Sequence, residues 1–226
     1  MHKDMSADPE LRRIAPESVT MPPANLEGLL RLPQHALGIA VFAHGTGSGR
    51  FSPRNNYVAD RFGEQGLGTL LFDLLTEDEA RDRKNVFDVD LLAGRLLQAI
   101  DWLAKRGDMQ QLPVGLFGAS TGAAAALIAA HRSDRVQAVV SRGGRPDLAE
   151  PALHLVKAPT LLIVGGLDTT VLELNRAAYA ELRCVKSLQV VPGASHLFEE
   201  PGTLDAVVAL AQRWFKDHLA EEGAPP

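Results

Sequence analysis

From residue 38 onward, short apolar runs alternate with stretches in which apolar residues recur every three to four positions. Gly38–Ala43, Thr69–Phe72, Pro113–Phe117, Val136–Val140, Thr160–Val164 and Ser187–Val191 are apolar runs bounded by turn residues, the pattern of strands. Between them, helical patterns are expected over Asn56–Gln65, closed by Gly66, and over Asp88–Arg106, Thr121–His131, Leu172–Leu182 and Leu204–Ala220. Strands that are apolar on both faces and separated by helices predict an α/β fold, a mostly parallel twisted sheet with helices on both sides. Val19–Leu32, broken by Pro22, Pro23 and Asn25, reads instead as an antiparallel ribbon that opens the sheet. The charged run Glu77–Lys84 has no apolar period and is expected to be a solvated loop over Thr76–Asn85.

The chain has 226 residues, enough for one substantial core. One domain is expected over residues 17–220, between a polar flexible segment, 1–16, and a short tail, 221–226. A net charge of −5 with interspersed signs argues against nucleic acid, and the lack of a polybasic run or a long apolar stretch argues against a membrane partner. Small neutral or anionic molecules remain as ligands, and a homodimer is compatible with the sequence. Cys184 is the only cysteine, so no intrachain disulfide can form. With no apolar signal core in residues 1–16, a cytoplasmic protein is expected.

Chemistry concentrates at Gly118-Ala119-Ser120-Thr121-Gly122, where an apolar strand meets an alanine-rich helix. A serine at so sharp a turn needs very small residues two before and two after it, and its hydroxyl then points out of the fold. A serine becomes a nucleophile only beside a base that is itself oriented by an acceptor. Asp168 and His196 each lie just past the end of a strand, and in a parallel sheet such ends open onto one edge. Asp168 could otherwise cap the helix before Leu172, His196 could be an ordinary loop residue, and Asp147, past the Val136–Val140 strand, is a rival acid. His2, His35, His131, His154 and His218 fall in tails, turns or helix ends.

A second loop, His44-Gly45-Thr46-Gly47-Ser48-Gly49, follows the Gly38–Ala43 strand. Acyl transfer builds charge on a carbonyl oxygen, and two backbone N–H donors aimed at it form an oxyanion hole. Thr121 would supply one donor and Thr46 the other, with Gly47 as the alternative, while His44 would be scaffold. The glycine spacing fits neither a dinucleotide fingerprint nor a P-loop. Arg50, Arg54, Arg142 and Arg145 fall on loops at the same edge. Each could hold an anionic substrate group or brace its loop against Asp147 or Glu199.

Taken together, the runs His44–Arg50, Ser52–Asn55, Phe117–Gly122, Ser141–Pro146 and Ser195–Gly202 resemble those of small bacterial serine hydrolases on the dienelactone-hydrolase-like side of the α/β-hydrolase superfamily. Some such hydrolases are fused to a phosphoribosyltransferase domain, a partner this chain is expected to lack. The order Ser, Asp, His is that of an α/β-hydrolase. The resemblance implies a sheet of about eight strands, a Ser120–His196–Asp168 triad, no cofactor and no metal. It departs from dienelactone hydrolase proper, whose nucleophile is cysteine. Larger members insert a cap between the strands ending near Ser141 and starting near Thr160, and roughly eighteen residues here leave no room for a large cap. The expected activity is cleavage of a small ester or lactone through an acyl-Ser120. A non-catalytic binding module and a small peptidase are the alternatives.

Overall fold

The computed structural model describes residues 14–219, so most of the expected flexible segment at the start of the chain and the tail at its end lie outside the described residues. Eight strands are present: β1 (Glu17–Met21), β2 (Leu26–Arg31), β3 (Ile39–Ala43), β4 (Gly68–Phe72), β5 (Val114–Ala119), β6 (Val136–Arg142), β7 (Thr160–Gly165) and β8 (Lys186–Val191). They form one sheet in the order β1-β2-β4-β3-β5-β6-β7-β8. The opening ribbon pairs antiparallel with itself and with β4. All other pairs are parallel. This is the mostly parallel eight-stranded sheet that the alternation and the resemblance anticipate.

Helices cover both faces because the central strands have no polar face to show water. On one side α4 (Val89–Lys105) and α5 (Thr121–Arg132) bury Leu96, Leu103 and Leu127 against Leu116 of β5. On the other, α1 (Pro53–Glu64) and α8 (Thr203–His218) close over Phe42 and Phe117. There Phe62 meets Phe117 at 5.6 Å and Phe215 at 5.8 Å, both edge to face. Each buried ring contributes roughly 1.5–3 kcal/mol over its exposed state, which makes this cluster the main attachment of α1 and α8. Gly115 leaves it room, since a Cβ there would stand 2.5 Å from the Phe215 ring.

Three expected boundaries need correction. Helix α1 begins at Pro53, three residues earlier than read, because Ser52 caps the Asn55 N–H and proline fits a first turn that needs no donor. Helix α7 (Thr169–Glu181) also begins three residues early. The charged segment is not a loop: it forms α2 (Glu77–Ala80) and α3 (Arg83–Phe87), neither with a buried residue. A capping box between Thr76 and Glu79 starts α2, Asp82 caps α3, and Glu79 pairs with Arg95 of α4. Capping and charge organise this stretch where hydrophobic periodicity is silent. Between β6 and β7 stand only a 3₁₀ turn, Pro146–Ala149, and α6 (Glu150–Leu153), so no large cap covers the edge.

Candidate active site

Ser120 is the single residue between β5 and α5, with φ 51° and ψ −125°. A non-glycine residue rarely holds such a backbone, at a cost on the order of 1–3 kcal/mol, unless its surroundings impose it. Here they do. A Cβ at Gly118 would stand 2.5 Å from the Ala123 Cα, and one at Gly122 would stand 2.1 Å from the Ala43 carbonyl oxygen. Strand and helix thus meet at glycine distance on both sides of the serine. The Ser120 N–H donates to the Arg142 carbonyl at 3.4 Å, and its own carbonyl accepts from Ala123 and Arg145 at 3.1 and 3.0 Å. The backbone is fully engaged, and the hydroxyl remains for chemistry.

Asp168 occupies the N-cap position of α7, yet its side chain makes no capping bond. Instead its Oδ2 accepts from His196 Nδ1 at 2.6 Å. That bond places the proton on Nδ1 and leaves the Nε2 lone pair facing away from the acid. The Asp168 side chain is 15% exposed and the His196 side chain 39%, so the carboxylate is shielded while the imidazole is open to a reactant. The two loops are locked together by backbone: Gly166 N–H donates to Val191 and Leu167 N–H to Ala194, each at 2.9 Å. A Cβ at Gly165 would stand 2.4 Å from the Ala194 oxygen.

Asp147, the rival acid, is held elsewhere. It takes both Nε and Nη2 of Arg145, at 2.8 and 2.7 Å. No hydrogen bond among the described residues joins Ser120 Oγ to His196. The loop after β6 connects their surroundings: Arg145 N–H holds the Ser120 carbonyl, and Gly143, at φ 52°, lies where a Cβ would be 3.1 Å from the His196 oxygen.

The loop after β3 approaches from the other side. Ser48 N–H donates to the Gly45 carbonyl at 3.2 Å, closing a tight turn in which Gly47 takes φ 74°, a left-handed value natural only to glycine. Thr46 Oγ1 lies 3.3 Å from Thr121 Oγ1, which brings both proposed donor residues to one spot. Thr121 opens α5, where first-turn N–H groups have no intrahelical acceptor. His44 uses both ring nitrogens: Nδ1 donates to the Gly45 carbonyl at 3.0 Å, and Nε2 accepts from Leu74 N–H at 3.2 Å. Burial pushes its pKa below the ordinary histidine value, so it stays neutral and fastens this loop to the end of β4.

Of the four arginines, three hold carboxylates of the protein. Arg50 pairs with Asp73 and Glu27, Arg54 with Glu199 at 2.9 Å, and Arg145 with Asp147. Arg142 is buried, with its guanidinium 5.9 Å from the Phe117 ring centre and Nη1 without a hydrogen-bond partner. Burial, and then the charge of Arg54, push it down to about 10, still cationic at neutral pH. Glu200 was not singled out from the sequence, although its Oε2 accepts from Ser195 N–H at 3.0 Å and so holds the loop that carries His196. That bond keeps the Glu200 carboxyl below its usual range. Nothing local marks it, because the contact depends on how the loop folds back.

A family model described as the dienelactone hydrolase family matches residues 26–219. A solved dienelactone hydrolase from Anabaena variabilis is 52% identical, with a TM-score of 0.88 over 92% of this chain and all of that one. Est1E from Butyrivibrio proteoclasticus shares the fold at 15% identity, with a TM-score of 0.75 over 90% of this chain and 98% of its own. Two Mycobacterium tuberculosis proteins, from strains CDC 1551 and H37Rv, are 56% identical over 97% of this chain, and their names provisionally assign them phosphoribosyl transfer. The chain spans half the length of those two relatives. The match over nearly the whole sheet and the close likeness to a solved member establish that this chain belongs to the dienelactone hydrolase family.

Proposed function

We propose that this hydrolase cleaves carboxylic esters or lactones of small acids through an acyl-Ser120 intermediate. The observation that carries the reading is the 2.6 Å bond from His196 Nδ1 to Asp168, which fixes the imidazole with Nε2 as acceptor. His196 Nε2 takes the Ser120 proton as Oγ attacks the carbonyl carbon, and Asp168 stabilises the resulting imidazolium. The carbonyl oxygen becomes an oxyanion at the Thr46 and Thr121 N–H groups, an interaction worth a few kcal/mol in such sites. The C–O bond to the leaving group breaks as His196 returns the proton to it. Water, deprotonated by the same histidine, then attacks the acyl carbon and releases the acid and Ser120.

Dienelactone hydrolase proper uses cysteine, so the serine here argues for a different preferred ester. Phosphoribosyl transfer finds less support. That name belongs to proteins twice this length, and the glycine-rich loop after β3 fits neither of the phosphate-binding spacings considered. Labelling with a fluorophosphonate, followed by peptide mapping, tests the reading. The expected adduct is on Ser120 and disappears in Ser120→Ala; an unlabelled Ser120 in folded protein would overturn it.

A further inference from the structure

A cavity of about 460 Å³ opens beside the loop after β3, between that loop, the β1–β2 turn and the α2–α3 segment. We infer that it is the acyl pocket of the enzyme, and that it selects uncharged acyl chains longer than acetyl over chains ending in a carboxylate. The inference rests on the acyl-Ser120 reading. Thr46, Gly47 and Thr121 line it, as does Gly45, which lies against the nucleophile: a Cβ there would stand 2.9 Å from Ser120 Cβ. None of Ser120, Asp168 and His196 lines it, and Gly45 and Thr121 are its link to the nucleophile.

Chemistry then assigns its occupant. The tetrahedral carbon carries four groups, and three have fixed directions. Oγ points to Ser120, the oxyanion to the Thr46 and Thr121 N–H groups, and the leaving oxygen to His196, which must protonate it. Only the acyl carbon is left, and the cavity lined by the oxyanion residues Thr46 and Thr121 but not by His196 is the space assigned to it. That space has an apolar wall of Leu26, Leu74, Leu75, Val86 and Leu92 and a size usual for small-molecule sites.

Its charge sets the second half of the selection. Three carboxylates, Glu27, Asp73 and Glu77, line the cavity with one guanidinium, Arg50, which is paired to the first two. A carboxylate at the end of an acyl chain would face net negative charge with the only cation already engaged.

Hydrolysis of p-nitrophenyl acetate, butyrate, hexanoate and monosuccinate by the full chain, each corrected for the Ser120→Ala background, tests this. The expected kcat/KM rises about fourfold per methylene from acetate to hexanoate, the equivalent of ~0.8 kcal/mol per buried CH₂. The succinate ester is expected at least tenfold below butyrate. Val86→Trp should collapse the hexanoate-to-acetate ratio of kcat/KM to near one. Ala80→Trp, at an exposed lining position, makes the same test if Val86→Trp does not fold. A flat chain-length profile, a succinate ester as good as butyrate, or an equal loss on acetate and hexanoate in the folded Trp variant would overturn the pocket assignment while leaving acyl-Ser120 standing. Absence of any Ser120-dependent hydrolysis, acetate included, would instead overturn the acyl-enzyme reading and the pocket with it.

Discussion

The turn at Ser120, whose next residue Thr121 lines the cavity, and the α2–α3 segment across that cavity are built by opposite means. At the serine, backbone meets backbone at distances only glycine permits, and every strand that feeds the turn is buried. Across the cavity, α2 and α3 bury no residue and rest on two N-caps and the Glu79–Arg95 pair. A close-packed turn has one workable geometry, whereas a capped, exposed segment can change its side chains with little cost to the core. On the reading given above, reaction chemistry is anchored to the invariable half and substrate choice to the changeable one.

The sharpest way to break this contrast is at the acid. Asp168→Asn is expected to lower kcat by about four orders of magnitude with an unchanged fold, because an amide neither holds the imidazole in the same tautomer nor stabilises its cation. Asp147→Asn should change kcat only a few-fold, since that carboxylate serves Arg145. Ester hydrolysis and circular dichroism on both variants check this; the reverse pattern would move the acid role to Asp147.

The packing itself can be tested next. Gly122→Ala would drive a methyl into the Ala43 and His44 carbonyls and should cost about 3 kcal/mol or more, seen as loss of soluble protein or a large fall in Tm. Gly94→Ala, in the exposed middle of α4 with nothing within 4 Å of the new methyl, should raise stability by about 0.5–1 kcal/mol. Two Gly→Ala changes of opposite sign would locate the rigidity at the elbow.

Removing a cap on the other side is expected to be mild. Thr76→Ala should cost about 1 kcal/mol, and hydrolysis of p-nitrophenyl acetate should stay within twofold, as checked by thermal melts and kinetics. A loss of acetate activity comparable to that of Asp168→Asn would erase the distinction between the two regions.

The smallest effect is in acid. Burial lowers the His44 pKa in the folded chain below the 6.5 of the unfolded one. Between those two values the unfolded chain binds a proton that the folded chain does not, so the stability from neutral His44 is complete above 6.5 and is lost as pH falls toward the folded value. Tm of wild type minus Tm of His44→Gln should therefore shrink from about pH 8 to about pH 5. A constant difference would mean that folding leaves the His44 pKa unshifted, and a difference that grows toward acid would mean that His44 is protonated in the fold.

Much of this arrangement was legible in the chain. The alternation of apolar runs and helical patterns is a local property, and it located the six strands from β3 onward, while the break at Pro22, Pro23 and Asn25 marked the ribbon of β1 and β2. The Ser120 turn was legible for the same reason, since the glycines that permit it lie within two residues. Asp168 was read as the partner of His196 in preference to Asp147, but both follow strands, and what separates them is the docking of the loops after β7 and β8 through Gly165. Glu200 and Gly143 were missed for a like cause: each meets the His196 loop through a fold-back or a neighbouring strand end. The far wall of the cavity stayed hidden because α2 and α3 are made by caps, which a reading of hydrophobic period passes over.

Asp168 stands at the start of α7 and leaves that start uncapped. The first turn of the helix must therefore look to water for its hydrogen bonds, and its amides at Thr169 to Val171 should exchange sooner than those deeper in α7. A mutation that improved this helix by drawing the carboxylate onto its own N–H groups would release His196. Evolution toward a better helix and toward a better-held imidazole pull this one side chain in opposite directions.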